Sequence, residues 1–309
     1  MMDVSVIVVN FNTKLLTEQC LNSIFEKTFG LEFEVILVDN GSTDGSCELF
    51  SRDSRITYIY NKENLGFGRA NNLGASYAKG DYLFFLNSDT YLRNNAIFLL
   101  WQQMHHFPDR ERVACAGCML LSPERDIVHS YAKFPSPIRS ILEATLYPVL
   151  WKMHFLQELP STSNYQYEQK EGAYFDVDYI TGADLMISRK ATEELGLFDS
   201  GFFMYYEETE LQYRFMRHNL RRIICRGPEI VHLEGKSNKR QSPDRTTMVI
   251  RSMFLYYQKT TSRLFYLTFA MIFKSLFVFV YMLAFPFING SHSEKLAHVR
   301  DLLRIRYLS

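Results

Sequence analysis

Cysteine and proline are scarce in this chain, and two phosphate-binding signatures are missing outright. Five cysteines in 309 residues (20, 47, 115, 118 and 225) are odd in number and widely spread, so they do not read as a disulfide framework. Cys115-Ala-Gly-Cys118 is a lone CxxC inside an apolar run. With no second pair it is expected to pack in the core rather than bind zinc or do redox chemistry. No G-x-x-x-x-G-K-[ST] loop occurs, and Gly66-x-Gly68 lacks a third glycine at the dinucleotide spacing, so neither of those nucleotide-binding families is supported. No signal peptide precedes the strand-like run that follows Met1-Met2-Asp3, and a reducing cytosolic location is the expectation. Acid is scarce at one end. Residues 217–309 hold 5 Asp/Glu against 16 Lys/Arg, whereas residues 1–216 hold 29 against 18. A basic last third in a chain of zero net charge points to anionic partners there, either phosphates or membrane lipids.

What is present is apolar and regular. The composition is 47% hydrophobic and 15% aromatic, which permits a sizeable core and excludes wholesale disorder. Gly80-Asp-Tyr82-Leu-Phe-Phe-Leu86-Asn87-Ser-Asp89-Thr90 organises the rest. Tyr82 to Leu86 reads as a strand buried on both faces, and the polar residues after it fall where ligands sit in an open α/β sheet. Asp89 beside Asn87 suits a divalent cation; the plainer reading is a cap for a helix starting near Asn94. Earlier strands are expected from Val4 to Asn12, Glu34 to Asp39 and Ile56 to Tyr60. Helices are expected around Leu16, Cys20 and Ile24, and from Asn64 to about Lys79. Strand alternating with helix at this interval predicts a mostly parallel, Rossmann-like sheet flanked by helices. The strand ends Asn10/Asn12, Asp39/Ser42, Asn61/Asn64 and Asn87/Asp89 would form one polar rim fit for a nucleotide.

A fifth strand is expected at Val113 to Leu121. Residues 122–176 carry five prolines and read as an insertion or lid. Val177 to Ser188 reads as a strand with a turn in it. Glu207, Glu208 and Glu210 open a helix behind an aromatic run. Acids favour a helix N-terminus by ~0.3–1 kcal/mol each, but three crowded behind bulky residues suggest a carboxyl tuned to act as a general base. His232 ends a last short strand; alone it reads as structural.

Leu264 to Phe285 is almost wholly apolar. Twenty-two residues at ~1.5 Å each just match a ~30 Å hydrocarbon layer. Lys274 near the middle is expected to cost roughly 3 kcal/mol, which the apolar residues slightly more than offset. Basic residues flank both sides, including Arg251, Lys259, Arg263, Lys295, Arg300, Arg304 and Arg306. That favours an interfacial or re-entrant helix pair broken near Pro286 to Gly290; the alternative is a buried helix of a soluble domain.

As a set, Val-Asn10-Phe-Asn12-Thr, Leu-Val-Asp39-Asn-Gly-Ser42, Asn64-Leu-Gly66-Phe-Gly-Arg69-Ala-Asn71-Asn72, Leu-Asn87-Ser-Asp89-Thr90, Gly182-Ala183-Asp184 and Tyr-Glu207-Glu208-Thr-Glu210-Leu resemble the family 2 nucleotide-sugar glycosyltransferases of the GT-A fold. The resemblance covers roughly residues 3–260 and is nearest to bacterial rhamnosyltransferases of O-antigen and other cell-surface polysaccharides. It implies a GT-A domain over 1–245 (nucleotide half 1–121, acceptor half 177–245) and a helical membrane-associating region over 246–309. It implies nucleotide-sugar contacts from Asn10, Asn12, Asp39, Ser42, Asn64, Gly66, Arg69, Asn72 and Asn87, and acceptor contacts from Gly182, Ala183 and Asp184. Asp89 and His232 would hold Mg²⁺ or Mn²⁺, and Glu208 would be the catalytic base, with Glu207 its rival. Two motifs depart from the family pattern: Asn87 stands for the first acid of D-x-D, and Glu-Glu-x-Glu for Glu-Asp-x-Asp. The implied reaction is inverting transfer, with rhamnose from dTDP-rhamnose the leading donor, to a lipid-linked or oligosaccharide acceptor at the cytoplasmic face of the plasma membrane. A UDP-hexose or UDP-N-acetylhexosamine donor is the alternative, as is a non-catalytic nucleotide-sugar-binding relative. No nucleic-acid partner is expected.

Overall fold

A computed structural model of the chain describes residues 2–145, 172–233, 243–284, 300 and 303–305. They fall into two compact units, Met1–Lys133 with Glu168–Arg240, and Phe134–Tyr167 with Gln241–Ser309.

In the first unit the chain runs through β1 (Val4–Asn10), α1 (Lys14–Lys27), β2 (Phe33–Asp39), α2 (Ser46–Phe50), β3 (Thr57–Tyr60), α3 (Phe67–Ala75) and β4 (Tyr82–Asn87). It continues through β5 (Thr90–Leu92), α4 (Ala96–His105), β6 (Val113–Cys118) and β7 (Tyr131–Ala132). In the second unit, α5 is Pro137–Thr145. The first unit resumes with β8 (Tyr174–Asp176), β9 (Tyr179–Ile180), β10 (Asp184–Ser188), α6 (Arg189–Leu195), α7 (Glu207–Arg217), β11 (Arg221–Cys225) and β12 (Ile230–His232). The second unit closes with α8 (Pro243–Thr260) and α9 (Arg263–Ala284).

Among the described residues the main sheet has eight strands in the order β3-β2-β1-β4-β10-β6-β11-β8. β1 to β4 pair in parallel, and β6 pairs in parallel with β11; only β10 and β8 run against the rest. The apolar runs of β1, β2 and β4 are continuous because both faces of the sheet are covered. Val4, Val6 and Val8 pack toward α1 and α4, around Leu21, Ile24 and Leu100. Ile7, Ile36 and Phe85 pack on the other side, in the cluster that holds Leu211 and Phe215 of α7. Register then aligns the tips: Asn10 lies opposite Asp39, Asp39 opposite Tyr60, and Val9 opposite Asn87.

Several boundaries differ from the sequence reading. Asn87 to Thr90 does not lead straight into a helix, because β5 intervenes and α4 begins at Ala96. α3 is shorter than expected, starting at Phe67 and ending at Ala75. The fifth strand stops at Cys118, and Leu121 instead bridges Ile127 and Val231. The 122–176 segment contributes β7, α5 and β8; the remainder of that proposed lid, residues 146–171, lies outside the described residues. The proposed break at Pro286 to Gly290 and the flanking Lys295 and Arg306 also lie outside them. Cys115 and Cys118 are buried free thiols within β6.

In the second unit, α9 is amphipathic in shape though not in polarity. Tyr266, Phe269, Phe273, Phe277 and Val280 recur at helical spacing and are buried. Phe269 packs tilted and Phe273 edge-on against Phe254 of α8, and Tyr257 packs on Phe269 at 4.5 Å between ring centroids. Lys274 does not stand alone in an apolar helix: its Nζ donates to the carbonyl oxygens of Leu303 (3.2 Å) and Ile305 and lies 5.7 Å from the Phe254 ring centroid. The cost expected for that charge is therefore met by partners within the same unit.

Candidate active site

The acidic tip of β4 is completed by a strand that arrives about 140 residues later. β12 pairs antiparallel with β5, setting His232 opposite Thr90. The backbone N–H of Leu233 donates to Asp89 O at 2.9 Å, and that of His232 to Leu121 O at 2.9 Å. These bonds fix the imidazole beside the carboxylate, with His232 Nε2 3.4 Å from Asp89 Oδ1. Asp89 is 3% exposed. Among the described residues no third His, Cys, Asp or Glu joins them in a metal-binding group. A carboxylate and an imidazole are a chemically suitable but partial donor set for a divalent cation, leaving positions for ligand oxygens and water.

The acids reach the site through a strained loop. Asn72 anchors it, donating through Nδ2 to Phe198 O at 2.7 Å and accepting from Phe198 N–H at 3.2 Å. Arg69 Nε donates to Ser200 O at 2.6 Å, and the N–H of Phe67 to Phe203 O at 2.8 Å. Tyr205 and Tyr206 then both take left-handed backbone conformations, φ 70° and 68°. Two consecutive bulky residues there store strain of the kind found where a site is being positioned. α7 starts at the next residue and sorts its acids. Glu210 accepts from Arg214 Nε at 2.9 and 3.0 Å, an i,i+4 pair that accounts for one of the three. Glu207 is buried and its Oε2 has no hydrogen-bond partner. Glu208 is partly exposed and accepts from Thr209 Oγ1 at 3.2 Å. Burial pushes both carboxyls above the ordinary range, and the Glu208 charge pushes Glu207 further.

The rim residues mostly hold loops. Asp39 is fully buried and accepts from Tyr58 Oη and Ser42 N–H, both at 2.9 Å. Asn10 Oδ1 accepts from Thr13 Oγ1 (2.9 Å) and Thr17 Oγ1 (2.8 Å), and its Nδ2 donates to Ser42 Oγ at 3.0 Å. Asn12 Oδ1 accepts from Thr43 N–H at 2.7 Å. Asn64 Oδ1 accepts from Asn40 Nδ2 and Gly66 N–H.

One cavity of about 270 Å³ gathers much of this. Asn64, Gly66, Asn87, Asp89, Gly182, Ala183, Glu207, Glu208 and His232 line it. Asn10, Asn12, Asp39, Ser42, Arg69, Asn72 and Asp184 do not. Sequence reasoning passed over Phe11, which also lines the cavity and is 42% exposed. The signal was available: a large apolar residue between two polar ones at a strand tip.

Asp184 sits behind the wall, fully buried. Its Oδ2 accepts from Cys118 N–H at 2.6 Å, while Oδ1 has no partner. Burial pushes its pKa up to about 7, against the opposing pull of that N–H and of His232. The folded state thus binds this proton more tightly than the unfolded chain does. Stability from it is complete below the ordinary carboxyl range and is lost as pH rises through about 7. Thermal melts at pH 5 and pH 8 should show a smaller drop for Asp184→Asn than for the wild type.

The family model for glycosyl transferase family 2 matches residues 5–196. The chain belongs to that family. Glu207, Glu208 and His232 fall beyond the matched segment of this glycosyltransferase, so their link to the site rests on geometry. An N-acetylglucosaminyl-diphospho-decaprenol L-rhamnosyltransferase of Mycobacterium tuberculosis is 26% identical over 234 residues, 72% of this chain and 73% of that one. A low-salt glycan biosynthesis hexosyltransferase of Haloferax volcanii is 26% identical over 275 residues, 86% of this chain and 80% of its own. A mannosyltransferase of Pyrobaculum calidifontis, solved in complex with GDP-Man and Mn²⁺, superposes with a TM-score of 0.56 at 15% identity, covering 98% of this chain and 80% of that one. At that identity the likeness concerns the GT-A fold.

Proposed function

We propose that this glycosyltransferase moves a sugar, rhamnose from dTDP-rhamnose first among the candidates, to a hydroxyl of a lipid-linked saccharide at the cytoplasmic face of the membrane, with inversion. The observation that carries the reading is a single cavity lined by Glu208, Asp89 and His232. The rhamnosyltransferase relative, with its decaprenol-linked acceptor, supports the donor and the lipid carrier.

In this reading Glu208 accepts the proton of the acceptor hydroxyl. The oxygen's electron pair forms the new bond to the anomeric carbon, and the bond to the diphosphate breaks from the opposite side, the diphosphate leaving with its electrons. A positioned base contributes about 10²–10⁴-fold. Asp89 and His232, with Asn87 beside them, would hold Mg²⁺ or Mn²⁺, which when bound supplies positive charge against the leaving diphosphate. Gly182 keeps the wall beside Glu208 open, since a Cβ there would stand 3.3 Å from the Phe67 ring. The exposed ring of Phe11 offers a face on which the base can stack.

Steady-state turnover with dTDP-rhamnose, UDP-hexoses and UDP-N-acetylhexosamines, each with and without chelator, tests the proposal. Donor binding without turnover on any lipid-linked acceptor would leave only a nucleotide-sugar-binding protein. Phe11→Ala is expected to raise the donor KM roughly 5–100-fold with kcat little changed, as loss of one base–aromatic stack does.

A further inference from the structure

The packed side of α9 leaves its other side bare. Leu264 is 77% exposed, Met271 64%, Phe279 61% and Met282 60%, with Phe265 and Ile272 also exposed. These positions follow helical spacing opposite Tyr266, Phe269, Phe273 and Phe277. The one charge of the apolar stretch, Lys274, is bound to the Leu303 and Ile305 carbonyls. α5, which packs on α9, adds exposed Ile138 and Leu142.

Among the described residues α9 alone is long and apolar enough to cross a membrane. Its partner α8 is not, with Arg245, Arg251 and Lys259 within 18 residues. The two helices are joined by ring contacts that reach Phe273, half-way along α9. Carrying α9 across a bilayer would drag those cations into hydrocarbon or strip the Phe254 and Tyr257 rings from their partners. Residues 243–284 hold five cations and a single acid, Asp244, a charge balance that fits an anionic lipid surface.

We infer that α9 lies in the plane of an anionic phospholipid surface, its Leu264–Met271–Phe279 face sunk to the headgroup–acyl boundary and α8 kept on the water side. This deepens the membrane part of the proposed function and rests on it only for its purpose. Binding is therefore read without donor or acceptor, so that a wrong substrate would leave the result untouched.

The test uses the full chain with vesicles of phosphatidylethanolamine and phosphatidylglycerol. Phe265→Trp, Ile272→Trp and Phe279→Trp are made singly, and depth is read from quenching by lipids brominated at different positions, as a difference from the wild-type emission. A helix in the plane puts all three at one shallow depth. A spanning helix separates neighbours by ~10 Å, at ~1.5 Å per residue, and that pattern overturns the inference. Met271→Glu combined with Phe279→Glu, both at exposed positions, is expected to leave the melting temperature unchanged and cut vesicle co-sedimentation about tenfold. Undiminished pelleting by that variant overturns the inference. So does a wild type that ignores vesicles and dimerises through this face, with the double variant monomeric.

Discussion

Glu208→Gln is expected to lower kcat by about 10²–10⁴-fold while leaving the donor KM within a few-fold. The change keeps the shape of the side chain and removes only its capacity to accept a proton. Because burial raises the Glu208 carboxyl, wild-type activity should climb with pH through a limb lying above the ordinary carboxylate range. The variant's residual activity should lack that limb. Glu207→Gln supplies the contrast. Its carboxyl is buried, unpartnered at Oε2 and pushed up by both burial and the Glu208 charge, which favours its neutral form. An amide there replaces a neutral acid, and turnover should survive within a few-fold. Stability should change in a stated direction as well. A carboxyl raised on folding contributes stability that is present at low pH and lost as pH rises, so Glu207→Gln should flatten that decline and raise the melting point at neutral pH. Turnover lost in Glu207→Gln and kept in Glu208→Gln would exchange the two roles.

Gly66→Ala is expected to be the most damaging single-methyl change in the first unit. Gly66 has φ +84°, and a Cβ there would stand 2.0 Å from Phe203 O, a backbone atom with nowhere to retreat. That backbone, with ψ −179°, is essentially glycine-only and costs an L-residue about 1–3 kcal/mol, and displacing the carbonyl breaks its bond from Phe67 N–H, worth about 1 kcal/mol more. A loss of roughly 3 kcal/mol or more follows, a drop of around 6–12 °C in melting temperature for a unit of this size. Activity should fall further than stability explains, because the displaced segment leads directly through Tyr205 and Tyr206 into Glu207 and Glu208. Differential scanning calorimetry beside kcat at a temperature where both proteins are folded separates the two effects. A variant within 1 °C of the wild type, a threshold of about 0.3 kcal/mol, would show that this loop yields.

The polar tips were legible because β1, β2 and β4 are buried on both faces, so each writes an unbroken apolar run that stops where the sheet stops. What local pattern does not carry is order across the sheet. β10 reads as an ordinary strand, yet it inserts antiparallel between β4 and β6, and nothing within Asp184 to Ser188 announces that neighbour. β5 is three residues long and resembles a helix cap, so the ladder that sets His232 beside Asp89 was hidden with it. The acid cluster was half legible. The Glu210–Arg214 pair follows from i,i+4 spacing alone, whereas the separation of Glu207 from Glu208 depends on Gly68 of α3 lying against the Glu207 side chain. Lys274 looked solitary because its partners are backbone carbonyls about thirty residues downstream.

Insertion of β10 also governs how the molecule can be born. When β4 has left the ribosome its outer edge has no neighbour, and none arrives until about a hundred further residues have been made. For that interval the nascent polypeptide displays an unpaired, strongly apolar strand, the kind of template on which chains join one another. Expression of N-terminal fragments that stop short of Asp184 should therefore yield inclusion bodies, and a holdase that shields Tyr82–Asn87 should reduce them.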